Sequence, residues 1–464
     1  MFRVIKRHLT NQSSLSKKKR RSDELDRPTK FFRIQLFTIL GYTNLIGKRR
    51  YHGGYKGMEI ARGRKDIEKD IFQPLGDQYL RRAYQMNKQS FYNLYCILKT
   101  DLENEFLPFI NHGTGHARRE KSAYYIDLKI RLSCALRFFA GADPLDLMIS
   151  HGISHSSVYC SVWGVVDCIN RHPQLLFKFP SHDEQREISA RFQKKSGALF
   201  DCVVGAIDGM LVWTTKPTER CCEAAKCGEK HFLCSRKDKF GLNLQAICDD
   251  KLRFTWVDIR WPGSTSDYMA WMTSDLCGRL EDGDSLLLDG KCIVGDNAYV
   301  KKKYMSVPHK GLVSQYDDAY NFYVSQLRIN IERAFGALVH RWAILRRPLC
   351  MATEKVGPLV MALCRLHNYC INENEMDAEK TTREDAEFSV RYMDSILPGQ
   401  LPVGGDNRLV MMENGRPTSL LHRGSHFQDA PACRRVETDV TPMDTMMAQV
   451  ASMNLMRPGP ANTL

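Results

Sequence analysis

The chain has 464 residues, of which 43% are hydrophobic and 26% charged, and these proportions exclude a fibrous or wholly disordered protein. Lys and Arg number 67 against 53 Asp and Glu, a formal net charge of +14 that favours a polyanionic partner, nucleic acid foremost. The sixteen cysteines lack the spacing of a disulfide framework, and the N-terminus has no secretory apolar segment. Both features predict that the protein resides in a reducing compartment. The longest apolar stretch near the N-terminus is interrupted by polar residues, so we predict no membrane-spanning helix.

Residues 1–80 are basic and weakly periodic, and they are predicted to form a mostly irregular extension. Their first 22 residues contain eight Lys or Arg and no acid, including the run KKKRR at Lys17 to Arg21. Such a run is typical of a nuclear-import signal, a phosphate-contacting arm or part of an organellar transit peptide, and equally of a solvated tail. We expect a nuclear protein that is made in the cytoplasm and then imported.

Residues 81–195 are predicted to be helical. A first helix has Ser90 as its cap and an apolar stripe from Phe91 to Leu98. Further on, a helix is predicted from about Asp127 to Phe139, followed by a break at Gly141 and a short helix that opens at Pro144. A tight turn at Gly152 and a helix capped by Ser154 that ends near Asn170 complete a pattern typical of a helix-turn-helix.

The last of these helices would present four side chains to a DNA groove, where they would touch phosphates or base edges. The four are Ser154, His155, Ser156 and Tyr159. A plain helical bundle with a glycine turn is the alternative interpretation, since such turns are frequent in helical proteins.

Residues 196–372 mix strands and helices, so the fold class is predicted to be α/β. A strand within Phe200 to Trp213 is apolar on both faces, two alternating runs surround Asp249 and Asp250 as a hairpin, and Lys291 to Val300 contains another short buried strand. A long helix, SQLRINIERAFGALVHRWAILRR, and a final helix, VGPLVMALCRLHNYCI, follow. Residues 373–464 are aperiodic, and a largely disordered tail is predicted.

Three acids occupy similar places in these elements: Asp208 in one buried strand, Asp296 at the end of another, and Glu332 beside the apolar stripe of the long helix. If they converge, their repulsion would raise a pKa strongly unless a divalent cation lies among them. Oxygen ligands select Mg²⁺ or Mn²⁺, and such a site suits two-metal phosphoryl transfer. Taken singly, Glu332 could pair with Arg328 and a fourth acid, Asp267, could cap the following helix.

The blocks GAIDGM, PGSTSD, VGDNAYV and NFYVSQLRINIERAFGALVHRWAIL, followed by LCRLHNYCI, resemble those of the PIF/Harbinger transposases and Harbinger-derived nucleases. This is a DDE superfamily with a ribonuclease H-like fold, and the resemblance covers roughly Leu199 to Ile371. Its most specific part is the long-helix block, in which Glu332 follows Asp296 by 36 positions. The resemblance implies a ribonuclease H-like mixed sheet flanked by helices, preceded by an all-helical region with a helix-turn-helix.

The resemblance implies that Asp208, Asp296 and Glu332 are the catalytic triad and ligate the metal, with Asp267 as a fourth metal ligand. The chain departs from the family at Ser266, where the family has His, and at Asn297 and Ala298, where it has Ser and Gly. The implied activity is metal-dependent cleavage, and joining, of double-stranded DNA at transposon ends or target sites. The alternative is a catalytically silent, domesticated DNA-binding regulator.

The resemblance also implies a Myb-like DNA-binding partner protein, and a homo-oligomer is left open. Outside the generic pattern, Cys221, Cys222, Cys227, His231 and Cys234 are considered as a zinc site, although their spacing differs from that of zinc ribbons. A basic insertion is the alternative for this segment. Arg236, Lys237 and Lys239 are predicted to follow the DNA phosphates beside the active site.

Overall fold

The computed structural model describes residues 65–106, 126–195, 200–311, 314–373 and 441–453, together with residues 455 and 457. The basic run at 17–21 and most of the predicted tail beyond 373 lie outside these residues. Within the described ranges, no helix is both long enough and apolar enough to cross a bilayer.

The core of the chain begins earlier than predicted. A π-helical turn, Ile67–Phe72, runs into helix α1, Gln73–Tyr84, and α2 follows at Lys88–Phe106. Phe72 packs edge to face against Tyr84 and Phe91, with ring centroids 5.6 and 5.0 Å apart. The predicted boundary at residue 80 therefore falls inside α1.

The start of α2 also differs from the prediction. Ser90 is buried in the first turn and is not the cap. The side-chain oxygen of Asn87 accepts a hydrogen bond from the Ser90 N–H at 2.8 Å, so an earlier residue caps this end of the helix.

The next three helices have the predicted boundaries. Helix α3, Leu128–Phe139, starts after its cap Asp127, and α4, Pro144–His151, has proline in its first turn. Gly152 adopts φ 63°, a left-handed conformation that suits glycine, and Ser154 then caps α5, His155–Arg171. Helix α6, His182–Lys195, completes the helical N-terminal region, which is confirmed.

A mixed sheet forms the centre of the second half, so the predicted α/β class is confirmed. Its first strand, β1, spans Val203–Trp213, and helix α7 follows at Glu219–Ala225. The next strands are β2 at Leu233–Cys234, β3 at Lys239–Cys248 and β4 at Phe254–Pro262. Helices α8, Asp267–Met272, and α9, Asp275–Glu281, precede β5, Cys292–Val294, and β6, Met305–Ser306.

The strand order is β2-β3-β1-β5-β6, with β4 paired to β3. Strand β3 runs antiparallel to both β1 and β4, which confirms the predicted hairpin, whereas β5 is parallel to β1 and β6 is parallel to β5. One face of the sheet packs Ile207 and Ile247 against Trp271 of α8. Neighbouring strand residues point to opposite faces, so Asp208 belongs to the other face.

Two long helices cover that other face. Helix α10, Gln315–Arg341, starts earlier than predicted because Ser314 and Asp317 form a capping box, and it ends at Arg341 before a 3₁₀ turn. Helix α11 spans Thr353–Asn372. The ring of Phe254 on β4 packs against Phe335 of α10, with centroids 5.9 Å apart.

The helical region and the sheet region share one core, although they were predicted as separate domains. The Tyr369 hydroxyl on α11 donates to the Ser90 carbonyl at 2.7 Å, and the Asn170 amide donates to the Pro358 carbonyl at 2.9 Å. The helices of the N-terminal region are therefore fixed relative to the helices behind the sheet. The segment Arg220–Cys227, which contains most of α7, belongs to a separate unit.

A final helix, α12, spans Pro442–Ser452 inside the region predicted as a largely disordered tail. Met443, Met446 and Val450 on one side of it are buried, and the Lys301 ammonium pairs with Asp444 at 2.7 Å. The sequence contained a signal for this helix, since Thr441 and Asp444 form a capping box with proline in the first turn.

Candidate active site

Asp208 and Asp296 meet where β5 ends. Ala206 on β1 is paired with Val294 on β5 in a parallel register, and both acids lie two residues further along their chains. The register therefore sets both acids beyond the same end of the paired strands, and Asp296 lies close enough for its charge to act on the Asp208 carboxyl group. The Asp296 side chain also accepts a hydrogen bond from the Ala298 N–H at 2.9 Å, which holds the loop that follows β5.

Glu332 reaches the same face of the sheet from α10. Glu332 forms an ion pair with Arg328, which lies one helical turn earlier, so the Arg328–Glu332 pair considered from the sequence does form. The Arg328 side chain is 24% exposed and that of Glu332 is 42% exposed. Although burial acts to lower it, the pKa of Arg328 is raised because Glu332, Asp208 and Asp296 all lie around the guanidinium.

The carboxyl group of Asp208 has the perturbation expected of a buried acid among acids. Burial is the largest cause that raises its pKa, from 3.8 to about 7, and repulsion from Asp296 and Glu332 adds to the rise. Arg328 and the Gly209 N–H, which donates to Asp208 Oδ1 at 2.8 Å, oppose it. Asp208 therefore lacks sufficient positive charge in its surroundings to remain fully ionised at neutral pH.

Asp267 approaches β1 from the opposite face. Its Oδ1 atom accepts hydrogen bonds from the side-chain amides of Asn243 at 3.0 Å and Gln245 at 2.7 Å. A Cβ atom at Gly209 would collide with Asp267 and Gln245, so only glycine allows this approach. The structure thus brings Asp267 to the backbone beside Asp208, and its role as a metal ligand stays a prediction.

The residues that depart from the family pattern have local roles. Ser266 caps α8, because its hydroxyl accepts from the Met269 N–H at 3.3 Å, and this corrects the suggestion that Asp267 is the cap. Ala298 is not among the described residues with a left-handed φ, so the loop after Asp296 does not require glycine there.

Sequence reasoning missed three polar residues of the site. The buried Tyr299 donates from its hydroxyl to the Gln245 side-chain oxygen at 2.6 Å, and Gln245 in turn donates to Asn243 at 2.9 Å. Burial, followed by the charges of Asp208 and Asp267, raises the pKa of Tyr299 well above its ordinary value, so it remains a donor. The sequence does contain a signal for them, because Asn243 and Gln245 place two amides on one face of the otherwise apolar strand GLNLQAIC, and buried amides need hydrogen-bond partners.

A cleft of about 340 Å³ opens beside Asp267 and contains two of the predicted phosphate ligands. Arg236 and Lys237 line it together with the loop Gly263 to Ser266. Loss of hydration and the nearby Arg236 lower the pKa of Lys237, while Asp208 and Asp267 act in the opposite direction. Lys239 lies outside this cleft lining, with its ammonium 3.9 Å from the centre of the Trp213 ring.

The four predicted groove residues of the helical region are exposed: Ser154, His155, Ser156 and Tyr159. The Ser154 hydroxyl accepts from the Ser157 N–H at 3.2 Å, so it serves the helix start. The rings of His155 and Tyr159 stack edge to face with centroids 5.0 Å apart. Their contact with DNA stays a prediction.

The oxygen ligands at the β5 end suit Mg²⁺ or Mn²⁺ in chemistry, since both ions prefer carboxylates. The acids are not spaced as metal ligands in this structure. Within the described ranges, no three His, Cys, Asp or Glu side chains are grouped so that they could hold a metal ion. Glu332 is instead bound to Arg328. The same finding shows that the cysteines and His231 considered for zinc do not form such a group there.

The region that contains these acids is similar to known proteins. Residues 207–368, which include Asp208, Asp296 and Glu332, match the family described as DDE superfamily endonuclease, which confirms the resemblance to this superfamily. A protein of Arabidopsis thaliana described as "Protein ALP1-like" is 26% identical over 280 residues, which are 58% of this chain and 65% of the relative. The chain thus spans about two thirds of the length of that relative. No solved structure matches the chain.

Proposed function

We propose that this protein is a metal-dependent DNA endonuclease or transposase of the Harbinger type. The observation that carries the proposal is the meeting of Asp208 and Asp296 at the end of β5, with Glu332 facing them from α10, inside the region matched by the endonuclease family. The strand order, with an antiparallel β3 beside parallel β1, β5 and β6, supports a ribonuclease H-like fold. Helices α4 and α5 with the turn at Gly152 support a helix-turn-helix.

Asp208, Asp296 and Glu332 would hold Mg²⁺ or Mn²⁺, which when bound supplies an activated nucleophile and neutralises charge on the phosphodiester. The chain itself positions the acids and the substrate. The register between β1 and β5 sets the spacing of two acids, and α10 supplies the third. Arg236 and Lys237 bind phosphates of the cut strand along the cleft.

The same proposal includes the wider setting of the protein. Exposed residues of α5, with His155 and Ser156 foremost, hold duplex DNA at transposon ends or target sites. The basic run at Lys17 to Arg21 directs the protein to the nucleus, and a Myb-like partner protein contributes to DNA recognition. Self-association into a homo-oligomer would bring two DNA ends together.

The test is a nicking assay on supercoiled DNA with purified protein in Mg²⁺ and in Mn²⁺. Asp208→Asn and Glu332→Gln should abolish nicking and leave duplex binding unchanged, because neither change alters the helical region or the basic residues Arg236 and Lys237. Asp289→Asn, on an exposed acid that is not among the site residues, serves as the matched control and should cut like the wild type. Full activity of the Asp208 variant would refute the proposal.

A silent DNA-binding regulator is the second candidate, and the Arg328–Glu332 ion pair favours it because this contact keeps one acid from the metal position. In that case the wild-type protein would bind DNA in calorimetry and show no heat of Mn²⁺ binding with or without DNA. Metal binding combined with nicking would exclude this candidate.

A further inference from the structure

Arg328 places a fixed positive charge among the acids of the proposed active site. Its guanidinium pairs with Glu332, and it is the strongest of the influences that lower the pKa of Asp208. Its Nε atom is buried and has no hydrogen-bond acceptor within the described part of the chain. The forked guanidinium therefore retains a free donor beside the acids, and a guanidinium binds the oxygens of carboxylates and phosphates through its N–H groups.

The charges of the three acids and Arg328 indicate which ligand the free Arg328 donor would bind. Asp208, Asp296 and Glu332, when ionised, carry three negative charges, and Arg328 offsets one of them. One divalent cation neutralises the remaining two charges. A second divalent cation would then make the group strongly positive, and repulsion would disfavour it until a DNA phosphate brings negative charge.

We propose that Arg328 is an exchangeable counter-ion: it holds Glu332 in the metal-free protein, releases it to a divalent cation, and then pairs with a phosphate of the bound DNA strand. This inference rests on the proposed nuclease function and assigns a role to a residue outside the triad. A single helical turn separates the two side chains, so the exchange requires only side-chain rotation. The guanidinium suits the phosphate because it donates two parallel hydrogen bonds to such an anion.

The experiment measures Mn²⁺ binding to DNA-free protein by calorimetry and by electron paramagnetic resonance. Arg328→Gln removes the competing charge and frees Glu332, so its Mn²⁺ affinity should rise by about tenfold or more. Arg328→Lys keeps the charge and loses the fork, and its affinity should lie between those of Arg328→Gln and the wild type. The matched control is Arg279→Gln, which removes an exposed charge paired with Asp284 and should leave Mn²⁺ binding unchanged.

A second measurement follows the phosphate. With Ca²⁺ present, so that DNA is bound without being cut, Arg328→Gln should weaken binding of a short duplex about tenfold, and Arg328→Lys should weaken it less. Equal or weaker Mn²⁺ affinity in Arg328→Gln would overturn the proposal, because it would mean that Arg328 supports Glu332 as a ligand. If Arg328→Gln does not fold, the affinity of Arg328→Lys decides in the same way.

The outcomes separate this proposal from the proposed function. If Arg328→Gln binds Mn²⁺ no better while the wild type nicks DNA, only the counter-ion role fails. If Arg328→Gln binds Mn²⁺ more tightly and weakens DNA binding while no form nicks DNA, the counter-ion role stands and the nuclease fails. If neither form binds Mn²⁺, the counter-ion role fails together with the metal site.

Discussion

Asp208→Asn should stabilise the metal-free protein above neutral pH, although it removes a candidate catalytic residue. The reason is the pKa of Asp208, which burial raises from 3.8 to about 7. An acid with a raised folded-state pKa binds a proton in the folded protein that the unfolded chain has already released. Stability from this group is therefore present at low pH and is lost as the pH rises from about 4 through 7.

The size of the effect follows from the same shift. A difference of about three pKa units corresponds to ~4 kcal/mol, of which ~2.5 kcal/mol falls between pH 5 and pH 8. The side chain is partly exposed, so solvent screening reduces the expected effect to about 1–2 kcal/mol. Asparagine has the shape of the protonated acid and no charge to bury, so the variant should avoid this loss.

The assay is urea unfolding in EDTA at pH 5 and pH 8. The stability gain of Asp208→Asn over the wild type should be larger at pH 8 by about 1–2 kcal/mol, whereas Asp289→Asn, on an exposed acid, should show no such difference. An equal gain at both pH values, or a loss at pH 8, would refute the reasoning that the folded protein raises the pKa of Asp208.

Three further predictions concern other parts of the structure. Gly209→Ala should lower the free energy of unfolding in urea by about 1–3 kcal/mol, because the added Cβ would collide with the Asp267 carboxylate and the Gln245 amide. Gly278→Ala is the control and should not lower it, because a Cβ there has nothing within 4 Å. Equal effects of the two changes would contradict the close packing at Gly209. Replacing Arg236 and Lys237 together by Gln should reduce the slope of log affinity against log salt for duplex DNA by about 2, and an unchanged slope would exclude them as phosphate ligands. Met446→Ala should accelerate hydrogen exchange of the backbone amides in α12 much more than in β1, because the fully buried Met446 anchors that helix. Equal acceleration in α12 and β1 would show that α12 does not open by itself.

Much of the fold was predictable because its signals are local. Caps, glycine turns and alternating strands act over a few residues, so α3, α4 and α5 have the predicted boundaries and β3 and β4 form the predicted hairpin. The errors also have local causes. The capping boxes that start α10 and α12 were overlooked, and Asn87 competes with Ser90 for the start of α2.

The sequence by itself determined which residue types stand at strand ends and on helix faces, and this was enough to single out Asp208, Asp296 and Glu332. Only the tertiary structure decided how they meet. The register between β1 and β5 sets the two aspartates beyond the same end of the paired strands. The amides of β3 hold Asp267 against Gly209, and Arg328 forms an ion pair with Glu332. These contacts depend on strand register and helix packing between distant segments, which no periodicity within one segment specifies.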